Sequence, residues 1–225
     1  MTNASSSESV DKRPNRKRNR FFPVLIFVGF LLGLLLGWLV IQLSSDSGRS
    51  EEPLYRGSII GSPTLAADFT LSSHPGERVS LSDFEGQVVL LYFGYTYCPD
   101  VCPASMALLA RATSDLTDEE KKLVQVAMIT VDPARDTEEL MADYMGHFDP
   151  SFLGLSGTEE EIASVTKDYG VYYEKQANGT ETDYLVNHTA SVFAIDKAGY
   201  LRLLYPFGTP GEDITSDLRL LISES

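Results

Sequence analysis

Residues 87–103 read QVVLLYFGYTYCPDVCP. From Gln87 to Phe93 the side chains are almost all β-branched, aliphatic or aromatic, as expected for a strand buried on both faces at the centre of a sheet. A loop carrying Cys98 and Cys102 follows. Pro103 then opens a predicted helix that runs to Leu116, with Met106, Leu108, Leu109 and Ala112 on its inner face. The cysteines therefore fall just past the C-terminal end of a central strand, where open α/β sheets place their sites.

The same alternation continues downstream. Val124–Val131 (VQVAMITV) predicts a second buried strand, ended by Asp132-Pro133, and Thr137–His147 predicts a helix carrying Leu140, Met141, Tyr144 and Met145. This β-α-β-α order implies parallel pairing. Thr158 and Glu161 form a capping box for a helix to Tyr169, and Val171–Tyr184 predicts an inserted hairpin turning at Asn178-Gly179. Thr189–Ile195, a turn at residues 196–199, Tyr200–Tyr205 and a helix from Pro210 add β-β-α. The expected fold over residues 62–225 is therefore α/β and thioredoxin-like.

Composition limits what such a domain does. The chain has 225 residues, 18 Lys and Arg against 32 Asp and Glu, 43% hydrophobic residues and two cysteines, which excludes both a disordered chain and a disulfide-built mini-protein. Residues 1–20 are basic, with six Lys and Arg, so the remainder carries a net charge of −18. Clustered Lys and Arg are what phosphate recognition needs, so no nucleic-acid partner is expected, whereas cations and basic proteins remain open.

Residues 21–43 (FFPVLIFVGFLLGLLLGWLVIQL) contain no charge and predict a transmembrane helix of roughly 34 Å. Lys12, Arg13, Arg16, Lys17, Arg18 and Arg20 precede it, so the N-terminus is expected in the cytoplasm and everything beyond Leu43 outside it. The run exceeds the apolar part of a cleaved signal peptide and lacks a small-x-small end. Glu8 and Asp11 do not suit an acid-poor mitochondrial presequence, which leaves a bacterial plasma membrane with a periplasmic domain. Residues 44–61 are polar and turn-rich and read as a tether of about 25 Å r.m.s. length.

Cys98 and Cys102, four positions apart across a helix start, suit either a disulfide or a shared metal ion, and the helix N-terminus stabilises the thiolate that both chemistries use. A static disulfide is the plainer alternative, but a loop of three intervening residues constrains an unfolded chain little. Of three histidines, His74 lies in a turn and His147 at a helix end, so both read as solvated surface residues. His188 precedes a buried strand in the loop that should face the cysteines, where a thioredoxin carries a cis-proline. The residues alone leave two roles open for it, metal ligand or hydrogen-bonded loop residue. Two thiolates and an imidazole would favour Cu(I) over Zn(II), and with a further donor they suit Cu(II). Met106, Met141 and Met145 recur at helical spacing and read as core.

Four segments carry a resemblance: Phe93–Pro103, Thr130–Thr137 (TVDPARDT), Tyr169–Tyr173 (YGVYY) and Val186–Ala190 (VNHTA). Together with the anchor they resemble the SCO proteins, SenC and PrrC among them, which bind copper in cytochrome c oxidase assembly. The resemblance implies copper held by Cys98, Cys102 and His188, and delivery to the dinuclear site of oxidase subunit II or another cuproprotein acceptor. A thiol reductant would keep the pair competent. It equally permits a thiol–disulfide reductase in which Cys98 and Cys102 are the redox pair, while a peroxiredoxin-like peroxidase leaves His188 without a role. Asp132, Arg135 and Asp136 match the family's acidic loop and suit partner docking or charge tuning, or else a turn and helix cap. Asn187 departs from the Asp that family members often carry.

Overall fold

The computed structural model describes residues 22–45, 55–177, 179–180 and 183–224. The chain divides into two compact units, Met1–Glu52 and Pro53–Ser225. In the first, helix α1 covers Phe22–Ser45, and the side chains described are those of residues 27–40. Among the described residues no helix is long and apolar enough to cross a membrane. The basic stretch 1–20 and residues 46–54 of the expected tether lie outside the described residues.

The second unit is built on a six-stranded sheet. Its strands are β1 (Ser58–Leu65), β4 (Val88–Gly94), β5 (Val124–Thr130), β6 (Leu153–Leu155), β9 (Ser191–Ile195) and β10 (Tyr200–Pro206), after a separate hairpin of β2 (Thr70–Ser73) and β3 (Glu77–Ser80). The spatial order is β1-β10-β9-β4-β5-β6. β4, β5 and β6 run parallel, β9 lies antiparallel beside β4, and β10 lies antiparallel beside β9. Every residue of β4 is buried, as a central strand covered on both faces requires. Helices α2 (Val101–Ser114) and α6 (Gly211–Ser223) pack together, with the Thr215 hydroxyl donating to the Ala112 carbonyl at 2.9 Å. Helix α4 (Glu138–Gly146) lies against β6 so closely that a Cβ on Gly154 would sit 2.6 Å from the Met141 carbonyl oxygen. Helix α5 (Glu159–Asp168) opens with the Thr158–Glu161 capping box, and the short α3 (Asp118–Lys121) opens with another from Thr117 and Glu120.

This is the expected thioredoxin-like α/β arrangement, with β-α-β from β4 to β5 and β-β-α from β9 to α6. Boundaries differ in three places. β1 begins at Ser58, inside the stretch read as tether, and just before it the buried Asp217 carboxylate accepts the Arg56 and Gly57 amides at 2.9 and 2.8 Å. Residues 56–61 therefore belong to the folded unit. Helix α2 starts two residues before Pro103, which the first turn tolerates because its N–H groups have no helical partner there. The hairpin is present as β7 (Tyr173–Lys175) and β8 (Val186–His188), but its return strand lies beyond Tyr184, and Asn178 of the expected turn is outside the described residues. Met106, Met141 and Met145 are fully buried, as their spacing implied.

Candidate metal centre

β4 ends at Gly94, and the absence of a side chain there is a steric requirement. A Cβ would lie 2.7 Å from the Tyr92 ring and 2.9 Å from the Cys102 sulfur. The loop that follows is pinned from below. The Asp136 carboxylate, fully buried, accepts the Thr96 amide at 3.0 Å, the Thr96 hydroxyl at 2.5 Å and the Thr130 hydroxyl at 2.7 Å. Cys98 is partly exposed on this loop, while Cys102 is fully buried in the first turn of α2.

The Cys102 backbone amide donates to the Cys98 sulfur at 3.4 Å, so the helix start is aimed at that sulfur. A hydrogen bond from the Cys102 thiol, joined by the helix-start amides, holds the Cys98 thiol far below its ordinary range against the opposing effect of burial. Cys102 is driven the other way, by the proton it shares with Cys98 and by burial. In the metal-free protein the pair is thus a thiolate at Cys98 and a thiol at Cys102. Iodoacetamide should alkylate Cys98 of the reduced protein at nearly the same rate at pH 6 and pH 8, whereas an ordinary thiol slows about 70-fold over that interval. A comparable slowing at Cys98, read by mass spectrometry of the labelled peptide, would contradict this charge state.

His188 arrives from a different part of the chain. It is the last residue of β8, paired with Tyr173, rather than a loop residue ahead of β9. Its Nδ1 lies 3.1 Å from the Thr189 carbonyl oxygen, which only an N–H can satisfy, so Nε2 carries the lone pair. That Nε2 is 3.3 Å from the Cys102 sulfur. The Tyr92 and Tyr95 rings stand edge-on to the imidazole with centroids at 6.1 and 5.8 Å, closing its sides, and the Tyr92 hydroxyl donates to the Cys102 sulfur at 3.7 Å. The ligand atoms of Cys98, Cys102 and His188 all lie within 4.8 Å of one another, close enough to share one ion. Two sulfurs and one imidazole nitrogen form a soft donor set suited to copper.

The three residues singled out from the sequence therefore meet. His74 and His147 are exposed and take no part. Asp132 and Asp136 are completely buried, which removes them from any docking face. The cap of α4 is Thr137 rather than Asp136. Sequence reasoning missed Tyr92, Tyr95 and Tyr184, although the density of tyrosines in Tyr92–Tyr97 was a visible sign of a walled site.

The SCO1/SenC family profile matches residues 58–223, from the first residue of β1 to the last of α6. The chain belongs to the SCO1/SenC family. The mitochondrial SCO2 homolog of Bos taurus is 36% identical over 199 residues, which is 86% of this chain and 73% of that protein. Among solved structures, the apo Sco1 protein of Thermus thermophilus shares 40% identity at a TM-score of 0.69, over 74% of this chain and 96% of that one. ScoI of Arabidopsis thaliana, solved with copper bound, shares 32% identity at a TM-score of 0.63, over 71% and 98% of the two chains. In this chain the β7–β8 hairpin brings an imidazole to the two sulfurs of the cysteine loop.

Proposed function

We propose that this SCO protein is a membrane-anchored copper metallochaperone for assembly of the copper site of cytochrome c oxidase. Cys98, Cys102 and His188 hold the ion as cargo and pass it by ligand exchange to oxidase subunit II or another cuproprotein acceptor. The observation that carries the reading is the His188 Nε2 lone pair, 3.3 Å from the Cys102 sulfur, with its tautomer set by the Thr189 carbonyl. The copper-bound relative supports the choice of metal. Cys98, the more exposed sulfur, is the donor an acceptor thiol reaches first. The uncharged run 21–43, behind a basic N-terminus, supports a single-pass anchor in a bacterial plasma membrane with the folded unit on the periplasmic side.

The test is His188→Ala in the reduced protein. Copper affinity should fall about 100-fold or more, since even outer-sphere changes cost 10–100-fold. Exchange of Cys98 with a small disulfide should continue. Unchanged affinity in a Cu(I) competition titration would remove His188 from the ligand set.

A second reading, a thiol–disulfide reductase acting on the acceptor's cysteines, is favoured by one feature. An accessible thiolate at Cys98 backed by a buried thiol at Cys102 is the order an attacking and a resolving cysteine need. It survives loss of His188, so the same variant separates the two activities.

A further inference from the structure

The hairpin that carries His188 has little holding it of its own. β7 and β8 share three residue pairs and form a sheet separate from the main one. A two-stranded hairpin is marginal in isolation, so its seat over the cysteines depends on contacts elsewhere. Part of that seat is the Val186 amide, which donates to the Tyr95 hydroxyl at 3.1 Å, and the burial of the Val186 side chain in the core.

Arg135 adds to it at the loop end of the hairpin. Its guanidinium carbon lies 3.7 Å from the centre of the Tyr184 ring, on the hairpin loop, and 4.7 Å from that of Tyr97, on the cysteine loop. Arg135 Nε pairs with the buried Asp132 carboxylate at 2.5 Å, and the other oxygen of that carboxylate accepts the Tyr184 hydroxyl at 2.7 Å. Among the described residues Arg135 Nη2 is buried with no hydrogen-bond partner, and the cation stacks on aromatic faces. One cation thus sits between the loop that carries a thiolate and the loop that leads to the imidazole. Lysine could keep the charge there but not the flat stack.

We propose that the Arg135–Tyr184 stack, anchored by Asp132, is a latch that positions His188 and sets how readily the imidazole leaves the ion. Arg135 and Tyr184 are positioning residues and touch no ligand atom. The proposal rests on the reading of His188 as a ligand. With the latch closed, the hairpin, and Nε2 with it, stays in place over the sulfurs. With it open, the hairpin lifts as a unit, and copper is left on two thiolates, the state from which an acceptor's donors take it.

The experiment is amide hydrogen exchange on the reduced, metal-free protein, paired with Cu(I) dissociation kinetics. Three variants keep the Asp132 carboxylate from being stranded: Tyr184→Leu, Tyr184→Phe and Arg135→Lys. In Tyr184→Leu the Val186 and Thr189 amides should exchange roughly 70-fold to 400-fold faster, the range expected for a desolvated cation–π contact together with one hydrogen bond, while β4 and β5 amides keep their protection. Cu(I) dissociation should accelerate by a similar factor. Tyr184→Phe, which keeps the ring, should show a smaller change than Tyr184→Leu, and Arg135→Lys, which keeps the ion pair, should show a change of the Leu type. Unaltered hairpin exchange in Tyr184→Leu and Arg135→Lys overturns the latch, and so does loss of protection spread equally through β4 and β5. If instead His188→Ala leaves copper affinity intact, the liganding reading fails, and the exchange data on the metal-free protein still decide whether the stack holds the hairpin.

Discussion

Oxidising Cys98 and Cys102 to a disulfide is expected to abolish stoichiometric copper binding, and reduction to restore it in full. A disulfide removes two of the three donors at once and leaves a lone imidazole, so the loss should exceed the roughly 100-fold that disturbing an outer-sphere partner costs. The geometry makes the bond accessible. The two sulfurs already lie within 4.8 Å, and the helix-start amide that binds Cys98 holds it beside Cys102. The same contacts shape the potential. Each stabilises the Cys98 thiolate, which exists only in the reduced protein, and so favours reduction. The pair should be more oxidising than a structural disulfide, with a potential above about −300 mV. Equilibration with dithiothreitol buffers gives the potential, and metal analysis of the oxidised, reduced and re-reduced protein gives the stoichiometry. One copper per chain in the oxidised form would remove the thiolates from the ligand set. Under the proposed function, an oxidising compartment would couple cargo to redox state, and a reductant would be needed to keep the pair competent.

How far the sequence led depended on the range of the interactions involved. The central strand was legible because burial on both faces leaves an unbroken apolar run at Val88–Phe93, and the cysteines were legible as a site because a strand end fixes where a site lies. The capping box at Thr158 and Glu161 is local chemistry and appeared as written. β1 was not legible. Its residues SIIGSPTL are mostly exposed, and its register against β10 slips between Ile59 and Thr64, so no alternation marks it. β6 is three residues long and owes its place to a glycine that lets α4 approach. The reading of Asp132, Arg135 and Asp136 stayed divided because their partners are remote. Tyr184 lies 52 positions from Asp132, and Thr96 lies 40 from Asp136, and only folding shows that these charges face inward. His188 was identified by residue type and family pattern, whereas the hairpin that delivers it rests on a three-residue pairing whose return strand, Val186–His188, lies beyond the expected end at Tyr184.

The same segment yields the largest expected loss of stability, in Asp136→Ala. The carboxylate is fully buried and accepts three donors, the Thr96 amide and the hydroxyls of Thr96 and Thr130. Removing it leaves those buried donors without their acceptor, at about 1–1.5 kcal/mol each, so roughly 3–4.5 kcal/mol in total. For a unit of this size that is a fall of about 10 °C in Tm. Burial, the larger effect, raises the Asp136 pKa, and the three hydrogen bonds pull against it. Ionisation is therefore less favourable in the folded protein than in the unfolded chain, so the charge itself opposes the fold and the acceptor geometry supports it. Asp136→Asn keeps an acceptor oxygen and the shape without the charge, and should lose less than half as much. Calorimetry on the pair of variants checks the order. Equal losses would mean the charge matters after all, and no loss in either would mean the cysteine loop is held by something else. Because Thr96 stands two residues before Cys98, the alanine variant should also lose copper affinity at temperatures where it remains folded. A buried carboxylate beneath a thiolate is an electrostatic cost. Its place here follows from the need to fix the cysteine loop from one side while Arg135 ties the hairpin from the other.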